Sequence, residues 1–235
     1  MKKTLITLSL MAAATSAMAD VIDLTGSGFT GVTASDGSYV VEDGISESDL
    51  FGYSSGQWHA TISQSSLKGQ AKVITGESGS ISMQVGAASS TGKGNWVAVK
   101  IDATQIDTEV PQTLSFDWVK DAQWGGEGYS ATFTVKFVGF DDDGTATTLN
   151  SWSTTLDNSA LTSEDTTKHV DMTLNETQGE YSSYGVLISA IEDASVTGGC
   201  GMTITNLTLQ TTPEPTTATL SLLALAGLCA RRRRK

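Results

Sequence analysis

Cysteine is nearly absent: the 235-residue chain has two, Cys200 within Gly198-Gly199-Cys200-Gly201 and Cys229 inside an apolar run close to the C-terminus. So few thiols supply no disulfide framework, which leaves a hydrophobic core to carry the fold. Nothing near Cys200 in sequence offers the histidine or helix start that lowers a thiol pKa, so it reads as a small buried residue and not as a nucleophile. Histidine is as scarce, with His59 and His169 only. No His-x-His or His-Glu-x-x-His spacing exists, which argues against zinc and gives each histidine a structural role. Gly-x-Ser-x-Gly is missing as well, although a Ser-His-Asp triad gathered from distant positions stays open at this level.

Basic residues are the next shortage. The chain has 14 Lys and Arg against 26 Asp and Glu. Seven of the basic residues lie at the two ends, so the middle holds seven lysines against 25 acids, a net charge of about −18. That is roughly twice the magnitude a small domain needs for solubility. It argues against nucleic acid and against anionic lipid headgroups, both of which bind through clustered Lys and Arg. Neutral sugars and divalent cations remain as partners.

The two ends carry patterns of their own. Lys2 and Lys3 precede an apolar run from Leu5 to Ala14, and Ala17-Met18-Ala19 forms a small-x-small cleavage site before Asp20. Charge, apolar run and cleavage site in that order read as a signal peptide over residues 1–19, removed on export. Asp20 stands where a lipoprotein would need cysteine, so no lipid acceptor is expected.

At the other end, Thr211-Thr212-Pro213-Glu214-Pro215 leads into an apolar stretch from Ala218 to Ala230, then into Arg231, Arg232, Arg233, Arg234 and Lys235. At about 1.5 Å per residue, a helix from Thr216 to Ala230 spans on the order of 22 Å, short of the roughly 30 Å hydrocarbon core. That length points to transient insertion and processing, not to a permanent anchor. The basic cluster holds the C-terminus in the cytoplasm by the positive-inside rule. Pro213 and Pro215 keep the junction extended, since neither donates a ladder hydrogen bond and each biases its predecessor away from helix. With polar motif, short apolar helix and basic stop in register, residues 213–235 resemble the PEP-CTERM sorting domains of Gram-negative bacteria. The resemblance implies passage through the export machinery, then recognition and cleavage by exosortase, a multi-spanning membrane protein with a Cys-His-Arg active site. It also implies delivery to the cell surface or extracellular matrix, often alongside exopolysaccharide. It implies nothing about what the middle of the chain does.

That middle, residues 20–211, suits one large domain and reads as strands almost throughout. Leu114, Phe116 and Trp118 alternate with Ser115 and Asp117; Tyr129, Ala131, Phe133, Val135 and Phe137 alternate with polar residues over a longer run. Period two is the signature of a half-buried strand. Ile81-Met83-Val85, Val97-Val99-Ile101, Val170-Met172-Leu174, Val186-Ile188-Ala190 and the stretch from Ile204 to Leu209 repeat it. No helical periodicity is sustained, apart from a turn near Ser159 to Asp165. Many short strands, abundant Gly, Ser and Thr, and only three prolines predict an all-β fold, an antiparallel β-sandwich of jelly-roll type. Val21 to Leu24 is expected to pair beside the strand that ends at Leu209. The second half resembles carbohydrate-binding jelly rolls in general layout.

Candidate chemistry is sparse. Glycoside hydrolysis needs two facing acids, and 25 carboxylates give no way to choose a pair; no catalytic residues are expected and the domain reads as a non-enzyme. Asp141-Asp142-Asp143-Gly144 fits a hairpin turn and lacks the Asp-x-Asp-x-Asp-Gly order of an EF-hand. Asp141 and Asp143 are nonetheless the local candidates for a structural Ca²⁺. Trp124 and Tyr129 flank the loop Gln123-Trp124-Gly125-Gly126-Glu127-Gly128, where an exposed indole can stack on a sugar ring, and Trp96 has the opposite parity to Val97, Val99 and Ile101. The bland alternative is that these rings plug the ends of the sandwich. Two functional readings follow: a structural or interaction protein of the surface or matrix, and a carbohydrate-binding module acting on extracellular polysaccharide.

Overall fold

The period-two segments all become strands, and their apolar sides face one another across two sheets. The computed structural model describes residues 21–35, 44–63, 69–87, 93–106, 111–174, 181–193 and 196–211. The signal segment, with Ala17, Ala19 and Asp20, and the tail, with Pro213, Glu214, Pro215 and Arg231 to Arg234, lie outside the described residues. Among the described residues no helix is long and apolar enough to cross a membrane.

In chain order the elements are β1 (Val21–Asp23), β2 (Val32–Ser35), α1 (Glu47–Phe51), β3 (Trp58–Ile62), β4 (Gln70–Ile74), β5 (Ser80–Ala87) and β6 (Gly94–Asp102). They continue with β7 (Gln112–Gly125), β8 (Ser130–Phe140), β9 (Ala146–Asp157), β10 (Lys168–Leu174), β11 (Ser183–Glu192) and β12 (Gly198–Thr211). One sheet runs β10-β7-β12-β5-β4-β2, with β1 also paired to β12; the other runs β3-β6-β11-β8-β9. Every ladder between these strands is antiparallel. Among the described strands only β4–β5 and β8–β9 are hairpins of sequential neighbours; most other connections cross from one sheet to the other, the connectivity expected of a jelly roll. The expected all-β antiparallel sandwich is therefore what the chain forms. The first and last strands of the domain do pair, Val21 opposite Gln210 and Asp23 opposite Thr208.

Leu114, Phe116 and Trp118 from β7, Phe133, Val135 and Phe137 from β8, and Val186 and Ile188 from β11 meet in the shared core. Full burial of each such side chain contributes roughly 1.5–3 kcal/mol. Two polar side chains tie the sheets together through this core. Asn95 on β6 donates its amide to the Gln84 carbonyl at 2.5 Å and the Gln70 carbonyl at 3.4 Å, in the opposite sheet. Lys120 on β7 turns inward, and its ammonium reaches Asp157 Oδ1 at 3.0 Å and Ser159 Oγ at 2.9 Å beyond the end of β9. The Ser159 hydroxyl and then Lys120 hold the Asp157 carboxyl down to about 2.

The outer face of the five-stranded sheet is partly covered as well, which the sequence did not announce. Ser46 caps α1 by accepting from the Asp49 N–H at 3.3 Å, while Asp49 Oδ2 accepts from the Ser46 N–H at 2.8 Å. This capping box sets a single turn of helix over the sheet. It drives Leu50 down among Ile45, Ala98, Val138, Phe140 and Leu187. Lys136 holds Glu47 at 2.7 Å, and Lys100 donates to the Phe51 carbonyl at 2.7 Å. A second apolar layer thus occupies one outer face, leaving the outer face of the seven-stranded sheet as the open, polar one. The turn expected near Ser159 to Asp165 is there as a single hydrogen-bonded turn, Asp165 N–H to the Thr162 carbonyl at 3.1 Å, with no helix.

Two stability measurements follow. Leu50→Ala removes a fully buried side chain and is expected to cost roughly 2–5 kcal/mol, read as a lower urea midpoint; a change within about 0.5 kcal/mol, the surface value, would show that the α1 layer is not part of the cooperative core. Asp157 has a depressed pKa, so its contribution is present above the ordinary carboxylate value near 4 and is lost as pH falls toward about 2. Asp157→Asn should flatten the acid limb of a melting-temperature profile in that window, and an unchanged acid limb would show that the Lys120 tie carries no proton linkage.

Candidate functional site

The three aromatic candidates part company in the fold. Tyr129 shares the inward parity of Ala131 and Phe133, and it is fully buried, its hydroxyl donating to Glu192 Oε1 at 2.9 Å. Burial, followed by the hydrogen bond to Glu192, pushes the phenol pKa well above its ordinary value. Its ring belongs to the core and presents no face to a sugar, a correction to the surface role expected for it. Trp96 lies on the outer side of β6, as its parity predicts, but packs with the α1 layer, where the Gly44 backbone (φ +74°) rests on the indole. Its ring is part of that packing and lies on the other sheet from Trp124.

Trp124 is on a strand and not in a loop, because β7 continues through Gly125. By parity with Leu114, Phe116 and Trp118 it would point inward. The register prevents this: Cys200 pairs with Gln123 and Met202 pairs with Lys120, so β7 carries one extra residue across from Gly201. Such a bulge reverses the alternation beyond it. Trp124 therefore pairs with Gly199 on the outer side, while Cys200 and Met202 face the core. Gly199 pairs in turn with Gly86 on β5. The indole lies across both glycines, and a Cβ at either position would overlap it. Two residues without side chains make a flat bed, and the partly exposed ring covers it.

The turn that follows is pinned. Gly125 and Gly128 adopt φ of +92° and +88°, the left-handed region that glycine enters freely. Asn158 donates its amide to the Gly126 carbonyl at 2.5 Å and to the Trp124 carbonyl at 3.2 Å, and the Gly126 N–H bonds the Thr197 carbonyl at 3.1 Å. Between this turn and the end of β9 lies an open cavity of about 590 Å³, lined by Glu127, Asp157, Asn158 and Ser159 among others. Carboxylate, amide and hydroxyl groups of this kind pair readily with sugar hydroxyls.

Further along the same outer face, a polar network that no sequence motif signals crosses β10, β7 and β12. His169 Nδ1 lies 2.7 Å from Asp117 Oδ1, and its Nε2 lies 3.1 Å from Asp171 Oδ1. Ser115 donates to Asp171 Oδ1 at 2.5 Å, and Asn206, in a left-handed bulge position (φ +54°), donates to Asp117 Oδ2 at 2.7 Å. Thr203 donates to Asp121 nearer Trp124. Ser115 bonds a carboxylate and not the imidazole, so these residues do not form the serine-to-histidine relay of a nucleophilic triad. The other histidine, His59, stacks on Tyr53 with ring centroids 3.7 Å apart, and burial lowers its pKa.

Asp141 and Asp143 sit in the β8–β9 hairpin. The Gly144 N–H bonds the Asp141 carbonyl at 2.9 Å, Gly144 takes φ +85°, and Asp143 Oδ1 accepts the Thr145 N–H at 2.9 Å. The Asp143 carboxylate thus serves its own turn. Among the described residues no group of three or more His, Cys, Asp or Glu is arranged to hold a metal ion. Cys200 is fully buried, and burial pushes its thiol up to about 12, in keeping with a packing role.

No protein-family model matches the chain, and no curated protein matches it. Solved structures resemble it in backbone only. One, from a study of promiscuous specificity among carbohydrate-binding modules of the β-sandwich superfamily, is 10% identical, with a TM-score of 0.38 over 77% of this chain and 56% of that one. This chain thus spans little more than half the length of that protein. A family 11 carbohydrate-binding module from Clostridium thermocellum, solved with a β-1,3-1,4-mixed-linked tetrasaccharide, is 11% identical, with a TM-score of 0.35 over 78% of this chain and 96% of the module. A Stig cyclase from Fischerella sp. TAU is 13% identical, with a TM-score of 0.42 over 77% of this chain and 99% of the cyclase. Scores this low decide neither a ligand nor an activity for this chain; what it forms is an antiparallel β-sandwich.

Proposed function

We propose that this chain is an exported surface or matrix protein whose sandwich is a non-catalytic interaction module, and that the module binds neutral polysaccharide at Trp124. The observation that carries the reading is the seating of Trp124: a bulge turns the indole outward, and Gly86 and Gly199 let it lie flat on a polar sheet face. A flat, partly exposed aromatic ring matches the apolar face of a pyranose, while the neighbouring carboxylate, amide and hydroxyl groups match its hydroxyls. The net charge of about −18 in the middle of the chain repels acidic glycans, which selects for neutral ones.

Export and sorting rest on the residues at the two ends. Lys2, Lys3 and the Ala17-Met18-Ala19 site support signal-peptide cleavage before Asp20. Pro213-Glu214-Pro215, the short apolar segment and Arg231 to Arg234 support exosortase as the processing partner. A sugar-binding module released among exopolysaccharide has its ligand at hand. A purely structural role is the second reading, supported by the acidic, Ser- and Thr-rich composition that keeps the domain hydrated.

Affinity electrophoresis and calorimetry against soluble neutral polysaccharides test the ligand. Binding to at least one is expected, weakened about tenfold, or ~1.4 kcal/mol, by Trp124→Ala. Gly199→Ala, which displaces the indole, should weaken it similarly. Binding that survives both changes would move the site elsewhere, and failure to bind any glycan would leave the structural reading. Mass spectrometry of the secreted protein tests the sorting: an N-terminus at Asp20 and a C-terminus near Pro213 to Pro215 are expected, whereas a mature form retaining Lys235 would contradict it.

A further inference from the structure

We infer that His169 is a proton-dependent latch, fastening edge strand β10 to β7 when its ring carries both N–H groups and releasing it when one is lost. β10 is the last strand on its side of the seven-stranded sheet, and its neighbour on the other side is β7 alone. His169 pairs directly with Asp117 in that ladder, and both project outward, away from the core that holds Met172 and Leu174.

The geometry decides the protonation state. Each ring nitrogen faces a carboxylate oxygen, Nδ1 toward Asp117 at 2.7 Å and Nε2 toward Asp171 at 3.1 Å. A carboxylate oxygen only accepts, so both contacts are hydrogen bonds only if both nitrogens donate. The neutral ring has one N–H, and its remaining lone pair would then point at a carboxylate. The carboxylates are held in place from elsewhere: Asp117 by Asn206 on β12, and Asp171 by the Ser115 hydroxyl on β7. They cannot swing away without breaking those bonds as well. Among the described residues, Asp117 and Asp171 are the charged groups that bear on the ring; Lys168 reaches to the opposite face and lies 4.9 Å over the Trp118 ring.

The titration runs in the matching direction. The hydrogen bond to Asp117 is the largest influence raising the His169 pKa, while Asn206 and then His169 lower that of Asp117. A raised histidine contributes fully below its unfolded value near 6.5 and loses its contribution as pH climbs through the folded value. A depressed aspartate contributes above about 4 and loses it as pH falls through its own folded value. The latch is closed in the mildly acidic range between them and opens on the alkaline side. Opening frees the edge of β7 and the seam beside it, where Trp152 of β9 packs on Phe116 and Trp118.

Amide hydrogen exchange of the whole protein, corrected for the intrinsic rate at each pH, tests this. Protection of residues 168–174 is expected to fall on the order of three- to tenfold between pH 6 and pH 9, with residues 131–137 of β8 unchanged. His169→Gln, which cannot be a cation, should show the low protection at both values. His169→Arg, a cation throughout, should show the high protection at both. By NMR, the His169 ring should titrate above His59, and Asp117→Asn should bring it down. Equal protection of β10 at both pH values, or a pH-dependent loss that persists unchanged in His169→Arg, would overturn the latch.

Discussion

The seven-stranded sheet hangs on β12. This strand is paired on both flanks along its length, with β7 on one side and with β5 and then β1 on the other. Its ladder with β7 carries two irregularities, and each one places a functional group. An extra residue in β7 opposite Gly201 turns Trp124 outward; an extra residue in β12 opposite Phe116 puts Asn206 in a left-handed conformation, where it reaches Asp117. Bulges of this kind re-aim side chains without breaking the sheet. With a regular ladder, the indole would face the core, on the side of the sheet that Trp118 takes, and Asp117 would lose its partner on β12.

The choice of face has an equally plain cause. A sandwich has two outer faces, and here an apolar layer built on Leu50 and Ile45 covers part of one. The other carries Ser, Thr, Gln and Asp side chains from β5, β7, β10 and β12, with Trp124 at one end and the His169 network toward the other. On the proposed reading, a ring lying on glycines among polar neighbours takes a flat, hydroxylated ligand, while the acidity of the chain disfavours anions.

How much of this could be read from the sequence depended on whether the alternation ran unbroken. Tyr129 to Phe137 keeps strict period two, and all five inward positions are buried. The pairing of the domain's first and last strands and the hairpin at Asp141 to Gly144 were legible too, the latter because Asp and Gly have turn chemistry of their own. Trp124 was legible only as an aromatic beside glycines, since its outward turn comes from a bulge that leaves no signature in β7 itself. Gly198-Gly199-Cys200-Gly201 drew attention to the thiol, whereas its glycine at 199 is the bed for the indole. Tyr129 could not serve the core and the surface at once, and its parity was the better guide. One turn of helix at Glu47–Phe51 is too short to show a 3.6-residue period, although Ser46 and Asp49 did carry the cap. The His169 network needed the β10–β7 register, which brings Asp117 across from His169 over about fifty residues of chain.

The most direct test of recognition at Trp124 is a crystal structure of the protein soaked with a neutral oligosaccharide that it binds in solution. A pyranose ring parallel to the indole, on the side away from Gly86 and Gly199, is the expected result. An oligosaccharide ordered elsewhere on the molecule, with the Trp124 ring uncovered, would contradict it.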